Sequence, residues 1–302
     1  MTRVLRRAVA WTFAATASVA LVVAALVAAW LAGVRIPIAS GATYLQVVKV
    51  SEADAAGGPG APFFIMLIGS DFRPGVGGAR GDALHVVGVN PALGRATILN
   101  IPRDVCTSAG KINNGHARGG PRGQADLASE VVGVPIHYAI SVDFAGFDSI
   151  VNAMGGVEVD VPAPMDDPFS GAYFAPGRLR MNGAQALAFA RDRHDFPRGD
   201  IQRSENQGSM LLSGFRQLQE EADDVAGEMR LVVLLARHAQ LDGVGLADLY
   251  RLGRVAQALD PDGVRNVTMP VVNGGCSGGL RPSADAAALF ADFGDDGVLQ
   301  QH

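Results

Sequence analysis

Residues 63–69 have the sequence Phe-Phe-Ile-Met-Leu-Ile-Gly, a continuous apolar run that ends in a glycine. A short run of this kind, with no polar residue in alternate positions, is typical of a β-strand that is buried on both faces. Two more strands are predicted at 84–89 and 96–101, and the turn residues Asn-Pro-Ala-Leu-Gly at 90–94 favour a hairpin between them. We therefore expect a sheet at the centre of the domain.

Strand and helix patterns alternate along the rest of the chain. Asn182 and Asp200 are each placed to cap a helix, because a short polar side chain accepts the free N–H groups of a first helical turn. Further strands are predicted at 137–142, 157–161 and 264–272, and helices at 144–154, 183–191, 200–220, 225–239, 246–259 and 284–290. This order predicts a single α/β domain with a mixed central sheet covered by helices.

The N-terminal part of the chain has the pattern of a membrane anchor. Residues 8–34 form an uninterrupted apolar stretch, with three arginines before it and Arg35 directly after it. At about 1.5 Å per residue, such a helix is long enough to cross a hydrocarbon core of about 30 Å. A cleaved signal peptide is the alternative, although its apolar region is normally only about 7–15 residues long.

Because positively charged flanks stay in the cytoplasm, this pattern predicts a single-pass protein of the cell membrane with an extracytoplasmic domain. The predicted segments are a cytoplasmic tail at 1–7, a transmembrane signal anchor at 8–34, a stalk at 35–62 and the α/β domain at 63–302.

Charge and cysteine usage limit the function of the extracytoplasmic part. The chain after Arg35 carries 21 basic and 30 acidic residues, a net charge of −9. This balance argues against nucleic acid as a partner, because nucleic-acid-binding domains usually present a basic field. In this predicted topology, Cys106 and Cys276 lie outside the membrane, where disulfides persist. The alternatives for them are one disulfide or two buried free thiols.

Four arginines and three aspartates crowd into residues 191–207, Arg-Asp-Arg-His-Asp-Phe-Pro-Arg-Gly-Asp-Ile-Gln-Arg-Ser-Glu-Asn-Gln. Guanidinium groups are forked donors that match phosphate oxygens and stay charged, so the cluster indicates a phosphate clamp. Asp200, Arg203 and Gln207 have the spacing of one helix face. The alternative is a solvated turn held by its own ion pairs, and Arg198, which falls outside the spacing, fits that alternative best.

Charged residues also lie at the ends of the predicted strands. Asp71 comes directly after the first strand, Asp82 lies at the start of the second, and Arg103 follows the third. If the first two strands are adjacent, Asp71 and Asp82 meet at one edge of the sheet, where they can hold Mg²⁺ together with phosphate oxygens. The alternative is that Asp71 is a turn residue and Asp82 an isolated charge at the strand edge.

The order of these motifs resembles the LytR-CpsA-Psr family of cell-wall ligases over about residues 63–220, and the single N-terminal anchor fits as well. The motifs are Gly-Ser-Asp71, Arg80-Gly-Asp82, Ile-Pro-Arg103-Asp104, Lys111-Ile-Asn113, Val142-Asp143-Phe144, Gly155-Gly156-Val157, the stretch from Asn182 to Arg193, and Asp200-Ile-Gln-Arg203 with Gln207. Ala83 departs from the family pattern, in which many members have a hydroxyl residue after Arg-x-Asp.

The resemblance implies a membrane-anchored phosphotransferase that moves a glycopolymer from a polyprenyl (pyro)phosphate carrier to a peptidoglycan sugar hydroxyl through a phosphodiester. It also implies Mg²⁺, or Mn²⁺ in its place, held by Asp71 and Asp82. The residues implied in catalysis are Asp71, Arg103, Arg191, Arg193 and Arg203, and those implied in phosphate binding are Arg80, Arg103, Arg191, Arg193, Asp200, Arg203 and Gln207. Such a set suits phosphoryl transfer, which is catalysed mainly by positioning and by neutralising charge.

The resemblance further implies a lipid pocket between the sheet and its helices. Its implied lining includes Phe64, Met66, Phe144, Phe147, Met154 and Phe189, for each of which core packing is the alternative. Two other functions remain open from the sequence. One is a non-catalytic sensor or scaffold that binds polyprenyl phosphate and regulates envelope biogenesis, and the other is a polyprenyl-pyrophosphate hydrolase that passes the phosphate to water.

Overall fold

The computed structural model describes residues 45–51, 60–72, 79–221 and 239–300. The chain divides into two compact units, one comprising 43–219 and 239–302 and the other comprising 1–42 and 220–238. Of the second unit, only Glu220 and Glu221 are among the described residues. The predicted tail and anchor, and all but the last residue of the predicted helix at 225–239, lie outside them. No helix in the described ranges is both long enough and apolar enough to cross a membrane.

The described residues form the following elements. The helices are α1 (Asn114–Val132), α2 (Phe144–Ala153), α3 (Gly183–Arg191), α4 (Asp200–Glu221), α5 (Leu246–Ala258) and α6 (Ala284–Asp296). The first strands are β1 (Leu45–Lys49), β2 (Phe63–Ser70), β3 (Gly81–Asn90), β4 (Arg95–Asn100), β5 (Cys106–Thr107), β6 (Gly110–Lys111), β7 (Tyr138–Asp143) and β8 (Val157–Val161). The remaining strands are β9 (Met165–Asp167), β10 (Ala172–Phe174), β11 (Gly177–Met181), β12 (Ala239–Asp242), β13 (Val264–Thr268), β14 (Val271–Asn273) and β15 (Leu280–Pro282).

Seven of the described strands form the central sheet, in the order β12-β1-β7-β2-β3-β4-β13. Strands β2, β3 and β4 are antiparallel neighbours. Strand β7 runs parallel to β2, and β13 runs parallel to β4. Strand β1 is antiparallel to β7 and parallel to β12. The sheet is therefore mixed, as predicted, and the apolar run at 63–69 forms its middle strand, β2.

Helices α1 and α6 cover one face of the sheet. Met66 and Ile68 of β2 are buried there in one hydrophobic cluster with Ala125 and Ala128 of α1 and Phe293 of α6. Fully burying a side chain the size of Met or Ile contributes about 1.5–3 kcal/mol. This cluster is the largest hydrophobic core among the residues that the structure describes.

The other face of the sheet is only partly filled by helices. Leu211 and Phe215 of α4 pack against a second cluster, which contains Phe63 and Ile98. Leu67, on the same face of β2, is only partly buried. The prediction that β2 is buried on both faces is therefore wrong for one face, because part of that face lines a cavity.

Strands β8 and β11 form an antiparallel pair outside the central sheet. Val157 and Val159 of β8 share a third hydrophobic cluster with Met181 of β11 and Phe189 of α3. Asn182 caps α3 as predicted, because its side chain accepts the Gln185 N–H while the Gln185 side chain accepts the Asn182 N–H. This capping box fixes the start of the helix that ends at Arg191.

Several boundaries differ from the prediction. The strand predicted at 264–272 is divided into β13 and β14 at Met269-Pro270, since proline has no N–H for a strand ladder. Helix α6 continues beyond 290 to Asp296, Asp200 is the first residue of α4 rather than its cap, and Ala239 begins strand β12 rather than ending a helix. Residues 45–49, within the predicted stalk, form β1 of the central sheet.

Cys106 and Cys276 form a disulfide, which selects one of the two alternatives left open by the sequence. The bond joins β5 to the turn between β14 and β15. It therefore ties together two segments that are 170 residues apart along the chain.

Candidate active site

A cavity of about 520 Å³ lies on the partly filled face of the central sheet. Its apolar lining includes Leu67, Ile140, Val142, Phe144, Phe147, Ile150, Met154, Leu187 and Phe215. Its charged and polar lining includes Asp71, Asp82, Arg103, Arg191, Arg193, Arg203 and Gln207. Most of the residues proposed from the sequence as a site thus line one cavity, together with an extended apolar wall.

Strands β2 and β3 bring the two predicted metal-binding aspartates to the same edge of the sheet. Their pairing passes from Gly69–Ala83 directly to Ser70–Gly81, so Asp82 is an extra residue on β3. Such a β-bulge is a common means of redirecting a side chain beside an active site. Asp71 is held in place by the Arg80 N–H, which donates to Asp71 Oδ1 at 2.5 Å. Because the two strands are adjacent, both carboxylates reach the cavity.

Asp200 holds three arginines together at the start of α4. Its carboxylate is 2.8 Å from Arg203, 3.2 Å from Arg193 and 3.4 Å from Arg103. Arg103 also pairs with Asp82, at 3.1 Å. The three guanidinium groups come from the loop after β4, the loop after α3 and the first turn of α4. We refer to Arg103, Arg193 and Arg203 as the arginine clamp.

Burial and ion pairing shift the pKa values of these groups in opposite directions. Arg203 is only 6% exposed, and burial lowers its pKa despite the neighbouring Asp200. Burial also lowers the pKa of Arg103, but Asp82 and Asp200 outweigh this effect, so its pKa is raised. For Asp200, burial raises the pKa, but the clamp guanidinium groups outweigh it and the pKa is lowered. Three guanidinium groups in contact with two carboxylates leave an excess positive charge that favours an anion.

Several buried polar atoms around the clamp have no partner. Arg103 Nε and Arg203 Nε lack a hydrogen bond within the described part of the chain, and so does Gln207 Oε1. Gln207 Nε2 donates to the Ala190 carbonyl at 2.7 Å, which fixes the side chain against the end of α3. A buried polar group without a partner costs about 1–3 kcal/mol. The two unpaired Nε–H donors are expected where a ligand supplies the missing acceptors.

Three further arginines proposed or weighed from the sequence have different surroundings. Arg191 lines the cavity, and its guanidinium lies 5.3 Å from the centre of the Phe144 ring. Arg80 is exposed and is not part of the cavity lining; its backbone N–H, rather than its side chain, contacts Asp71. Arg198 is exposed and pairs with Glu205, as expected for a solvated turn.

The six apolar residues named for a lipid pocket divide into two groups. Phe144, Phe147 and Met154 line the cavity. Phe64 and Met66 belong instead to the core under α1 and α6, whereas Phe189 belongs to the core around β8. The first group thus follows the pocket interpretation, and the second group follows the alternative of core packing.

The cavity also contains residues that sequence reasoning missed. Asp143 caps α2 by accepting the Gly146 N–H at 2.7 Å, and burial raises its pKa. His85 is buried, and its Nδ1 lies 2.7 Å from Asn100 Oδ1. Asp167 and His194 line the cavity as well. The position of Asp143 before a predicted helix and that of His194 within the charged segment 191–207 were usable sequence signals, whereas His85 and Asp167 stand in no recognisable pattern.

The fold and the site can be compared with known proteins. A model of the LytR_cpsA_psr family matches residues 42–286. The chain belongs to the LytR-CpsA-Psr family. The family match begins just before β1 and extends into α6, so it includes every strand of the central sheet and all the residues of the arginine clamp.

Curated LytR-CpsA-Psr relatives are similar over part of their length. The polyisoprenyl-teichoic acid–peptidoglycan teichoic acid transferase TagU of Bacillus mycoides (strain KBAB4) is 35% identical over 173 residues, which cover 55% of this chain and 54% of TagU. The corresponding transferase TagV of Bacillus subtilis (strain 168) is 34% identical over 164 residues, 50% of this chain and 42% of TagV. The chain thus spans about half the length of the curated relatives it matches.

Solved structures share the fold. A LytR-Csp2A-Psr enzyme from Actinomyces oris superposes with a TM-score of 0.65 at 24% identity, covering 78% of this chain and 91% of that one. A structure of TagT bound to LIIa-WTA superposes with a TM-score of 0.60 at 21% identity, covering 80% of this chain and 93% of that one. The predicted α/β class is therefore confirmed by structural likeness as well as by the family match.

Proposed function

We propose that this LytR-CpsA-Psr protein is a phosphotransferase of cell-wall assembly. It transfers a glycopolymer from a polyprenyl (pyro)phosphate carrier to a sugar hydroxyl of peptidoglycan. The observation that carries the proposal is the presence of an arginine clamp and a long apolar wall in one cavity. Phosphate on a hydrocarbon chain is the chemistry that fits both. The names of TagU and TagV, as transferases acting between polyisoprenyl-teichoic acid and peptidoglycan, support the same class of reaction.

The apolar wall suits the hydrocarbon part of such a carrier. A cavity of about 520 Å³ falls within the range of about 300–1,000 Å³ that is usual for small-molecule sites. Phe144, Phe147 and Met154 give it the apolar surface that an isoprenoid chain needs. The partly exposed Leu67 becomes more buried when an isoprenoid chain binds. A ligand with both a lipid chain and an anionic head contacts the apolar wall and the arginine clamp at the same time.

The clamp suits the phosphate part. In the proposed reaction, an acceptor hydroxyl forms a bond to the phosphorus next to the glycopolymer, and the bond from that phosphorus to the carrier phosphate breaks. The carrier leaves as polyprenyl phosphate, and the hydroxyl proton passes to Asp71. Arg103, Arg193 and Arg203 stabilise the charge that develops on the phosphate oxygens, because guanidinium groups match them in shape and charge.

Asp71 and Asp82 have the donor chemistry of a Mg²⁺ site. Both are carboxylates at the same edge of the cavity, and Mg²⁺ prefers oxygen ligands. Asp71 Oδ2 receives no hydrogen bond from the described residues, whereas Oδ1 is held by the Arg80 N–H. Bound there, Mg²⁺ supplies further neutralisation of phosphate charge. Mn²⁺ has similar ligand preferences and is the alternative.

The proposal includes the single-pass anchor at 8–34 and an extracytoplasmic location for the α/β domain. The disulfide between Cys106 and Cys276 supports this location, because structural disulfides persist mainly outside the cytoplasm. The net charge of the chain after Arg35 remains an argument against nucleic acid as a partner.

The test is a transfer assay with the purified full chain. Polyprenyl-pyrophosphate-linked oligosaccharide, peptidoglycan fragments and Mg²⁺ should give polyprenyl phosphate and a phosphodiester-linked product only when the acceptor is present. Arg103→Ala should lower the rate at least a hundredfold, since one lost stabilising donor costs about 10²–10³ in rate. Arg198→Ala, an equal charge change outside the cavity, should leave the rate within twofold. Binding without turnover would favour a sensor or scaffold, and release of phosphate without acceptor would favour a hydrolase.

A further inference from the structure

A compact group of potential metal ligands lies beside the arginine clamp and has no part in the proposed transfer. Asp167 ends β9, Asp192 follows α3, and His194 comes two residues later. One ligand atom from each residue lies within 4.8 Å of the others. His194 Nδ1 is 3.0 Å from Asp167 Oδ2, and the backbone N–H of His194 donates to Asp192 Oδ1 at 3.1 Å. Within the described ranges, no other group of three His, Cys, Asp or Glu residues is placed in this way.

Both carboxylates of this group are buried, and one of them is incompletely satisfied. Asp167 is 1% exposed and Asp192 is 0% exposed. Asp167 Oδ1 accepts the Phe169 N–H at 2.9 Å. Asp192 Oδ2, in contrast, has no hydrogen-bond partner in the part of the chain that the structure describes. A buried carboxylate oxygen without a partner is costly, and buried charges are usually paired or coordinated to a metal.

The surroundings do not supply the missing positive charge. In the ion pairs formed by described residues, Asp167 has only His194 as a partner and Asp192 has none. The carboxylate of Asp195, one residue after His194, adds further negative charge close to Asp192. The group therefore combines two buried carboxylates and an imidazole with an excess of negative charge that a cation would offset.

We propose that Asp167, Asp192 and His194 bind a divalent transition-metal ion, and that Zn²⁺ is the ion that fits best. Carboxylate oxygens and imidazole nitrogens are both ligands of Zn²⁺ in proteins, and three protein ligands are the number found in open Zn²⁺ sites. At a given site of this composition Zn²⁺ binds more tightly than Mn²⁺, whereas Mg²⁺ favours oxygen ligands. This site therefore differs in ligand type from the oxygen-only pair of Asp71 and Asp82.

The position of these three residues implies two effects of a bound ion. The ion links the end of β9 to the loop after α3, so binding stabilises the fold in this region. The side chain of His194 is 46% exposed, and both His194 and Asp167 line the cavity. An ion held by three protein ligands keeps an open coordination position, which here is available to an anionic oxygen in the cavity.

The experiment is a calorimetric titration of the metal-free full chain with Zn²⁺ alone, with thermal unfolding as a second measurement. We expect one Zn²⁺ per chain and a rise in Tm on binding. His194→Gln and Asp192→Asn should each weaken Zn²⁺ binding at least tenfold and abolish the rise in Tm. His194 is partly exposed, so His194→Gln keeps the test valid even if Asp192→Asn does not fold.

Two controls separate ligation from general electrostatics and from the proposed Mg²⁺ site. Asp195→Asn removes the same charge from the same segment and should change Zn²⁺ affinity less than threefold. The double variant Asp71→Asn/Asp82→Asn should lose transfer activity but retain Zn²⁺ binding. Wild-type affinity in His194→Gln, or an equal loss in Asp195→Asn, would overturn the proposal. Because the measurement is binding, its result is independent of whether the chain catalyses transfer.

Discussion

At the scale of single residues, Asp200 organises the site. It is the first residue of α4, and its one carboxylate contacts guanidinium groups from three parts of the fold: the loop after β4, the loop after α3 and the first turn of α4. Without it, the positive groups of the clamp repel one another at short range. Asp200 therefore acts by placing the three arginines of the clamp.

Replacing Asp200 by Asn tests this role. The amide keeps the size of the side chain but removes the charge that Arg103 and Arg203 share. We expect transfer to fall at least tenfold and the free energy of unfolding to fall by about 1–3 kcal/mol, the cost of leaving buried charged groups unpaired. Rates and urea unfolding should be compared with Asp160→Asn, an exposed carboxylate on β8. Equal behaviour of the two variants would contradict the role of Asp200.

His85 gives a prediction about pH. Burial lowers its pKa to about 4, although the hydrogen bond with Asn100 opposes this shift. In the unfolded chain the pKa is about 6.5. The unfolded chain therefore binds more protons below pH 6.5, so the stability contributed by neutral His85 is present above that pH and is lost as the pH falls towards 4.

The loss should be about 2–3 kcal/mol between pH 7 and pH 4.5, from about 1.4 kcal/mol per pH unit. Urea unfolding of the wild type and of His85→Gln at both pH values measures it. The difference in unfolding free energy between the two proteins should shift by this amount in favour of the variant at low pH. A difference that does not change with pH would show that His85 is not the group responsible.

At the scale of elements, the position of α4 depends on a glycine. A Cβ added at Gly208 would lie 2.2 Å from Asn266 Oδ1 and 2.3 Å from Asn100 Oδ1. The absence of a side chain therefore lets α4 approach β4 and β13 closely. The same helix carries Arg203 and Gln207, so this approach sets their distance from the sheet.

We expect Gly208→Ala to destabilise the protein, even though alanine favours a helix over glycine by about 1 kcal/mol. The expected net loss is about 1–3 kcal/mol, as for other overpacked positions. Gly253→Ala is the matched control, because Gly253 is exposed in α5 and a Cβ there meets nothing within 4 Å. The control should gain about 0.5–1 kcal/mol in thermal unfolding. A gain in both variants would mean that α4 does not require the close approach.

The elements that could be predicted from sequence have strong local signals. Helix α3 has the capping residue Asn182 and begins and ends as expected, and β2 has its apolar run. Helix α1 was missed because Gly119, Gly120 and Pro121 interrupt it, and the first two have non-helical backbone angles. Its burial against the sheet, rather than its own helix propensity, maintains it.

For the site too, residues with a local sequence signal could be predicted and residues brought together only by the fold could not. Arg193, Asp200 and Arg203 lie close together in sequence, so their spacing indicated a common helix corner. Asp167 and His194 lie 27 residues apart and meet only because β9 folds beside the end of α3. Arg80 was included because its motif resembles that of the family, but its side chain lies outside the cavity lining.

At the scale of the whole molecule, the apolar wall of the cavity and the arginine clamp are separable parts of one site. Gly214 of α4 lines the cavity, and a Cβ there would make only an ordinary contact with Val157, at 3.8 Å. A larger side chain at this position can therefore occupy cavity volume while the helix and the clamp stay in place.

Gly214→Leu should weaken binding of a long-chain polyprenyl phosphate at least tenfold, because the added side chain competes with the hydrocarbon for the apolar wall. Binding of inorganic pyrophosphate should remain within twofold of the wild type. Calorimetric titration with both ligands measures the difference, and Gly253→Leu on the exposed face of α5 is the control. Equal weakening for both ligands would indicate that the clamp itself has moved.

Several residues of the apolar cavity wall take no part in the hydrophobic packing of the described residues. Leu67, Ile140, Phe144 and Ile150 line the cavity, yet they belong to none of the three hydrophobic clusters formed by the described residues. Their replacement should therefore cost little stability, since core packing does not depend on them. Descendants of a common ancestor are then free to exchange these side chains and adapt to different carriers while inheriting the same fold. We expect the wall to be the part of the molecule in which lineages diverge first.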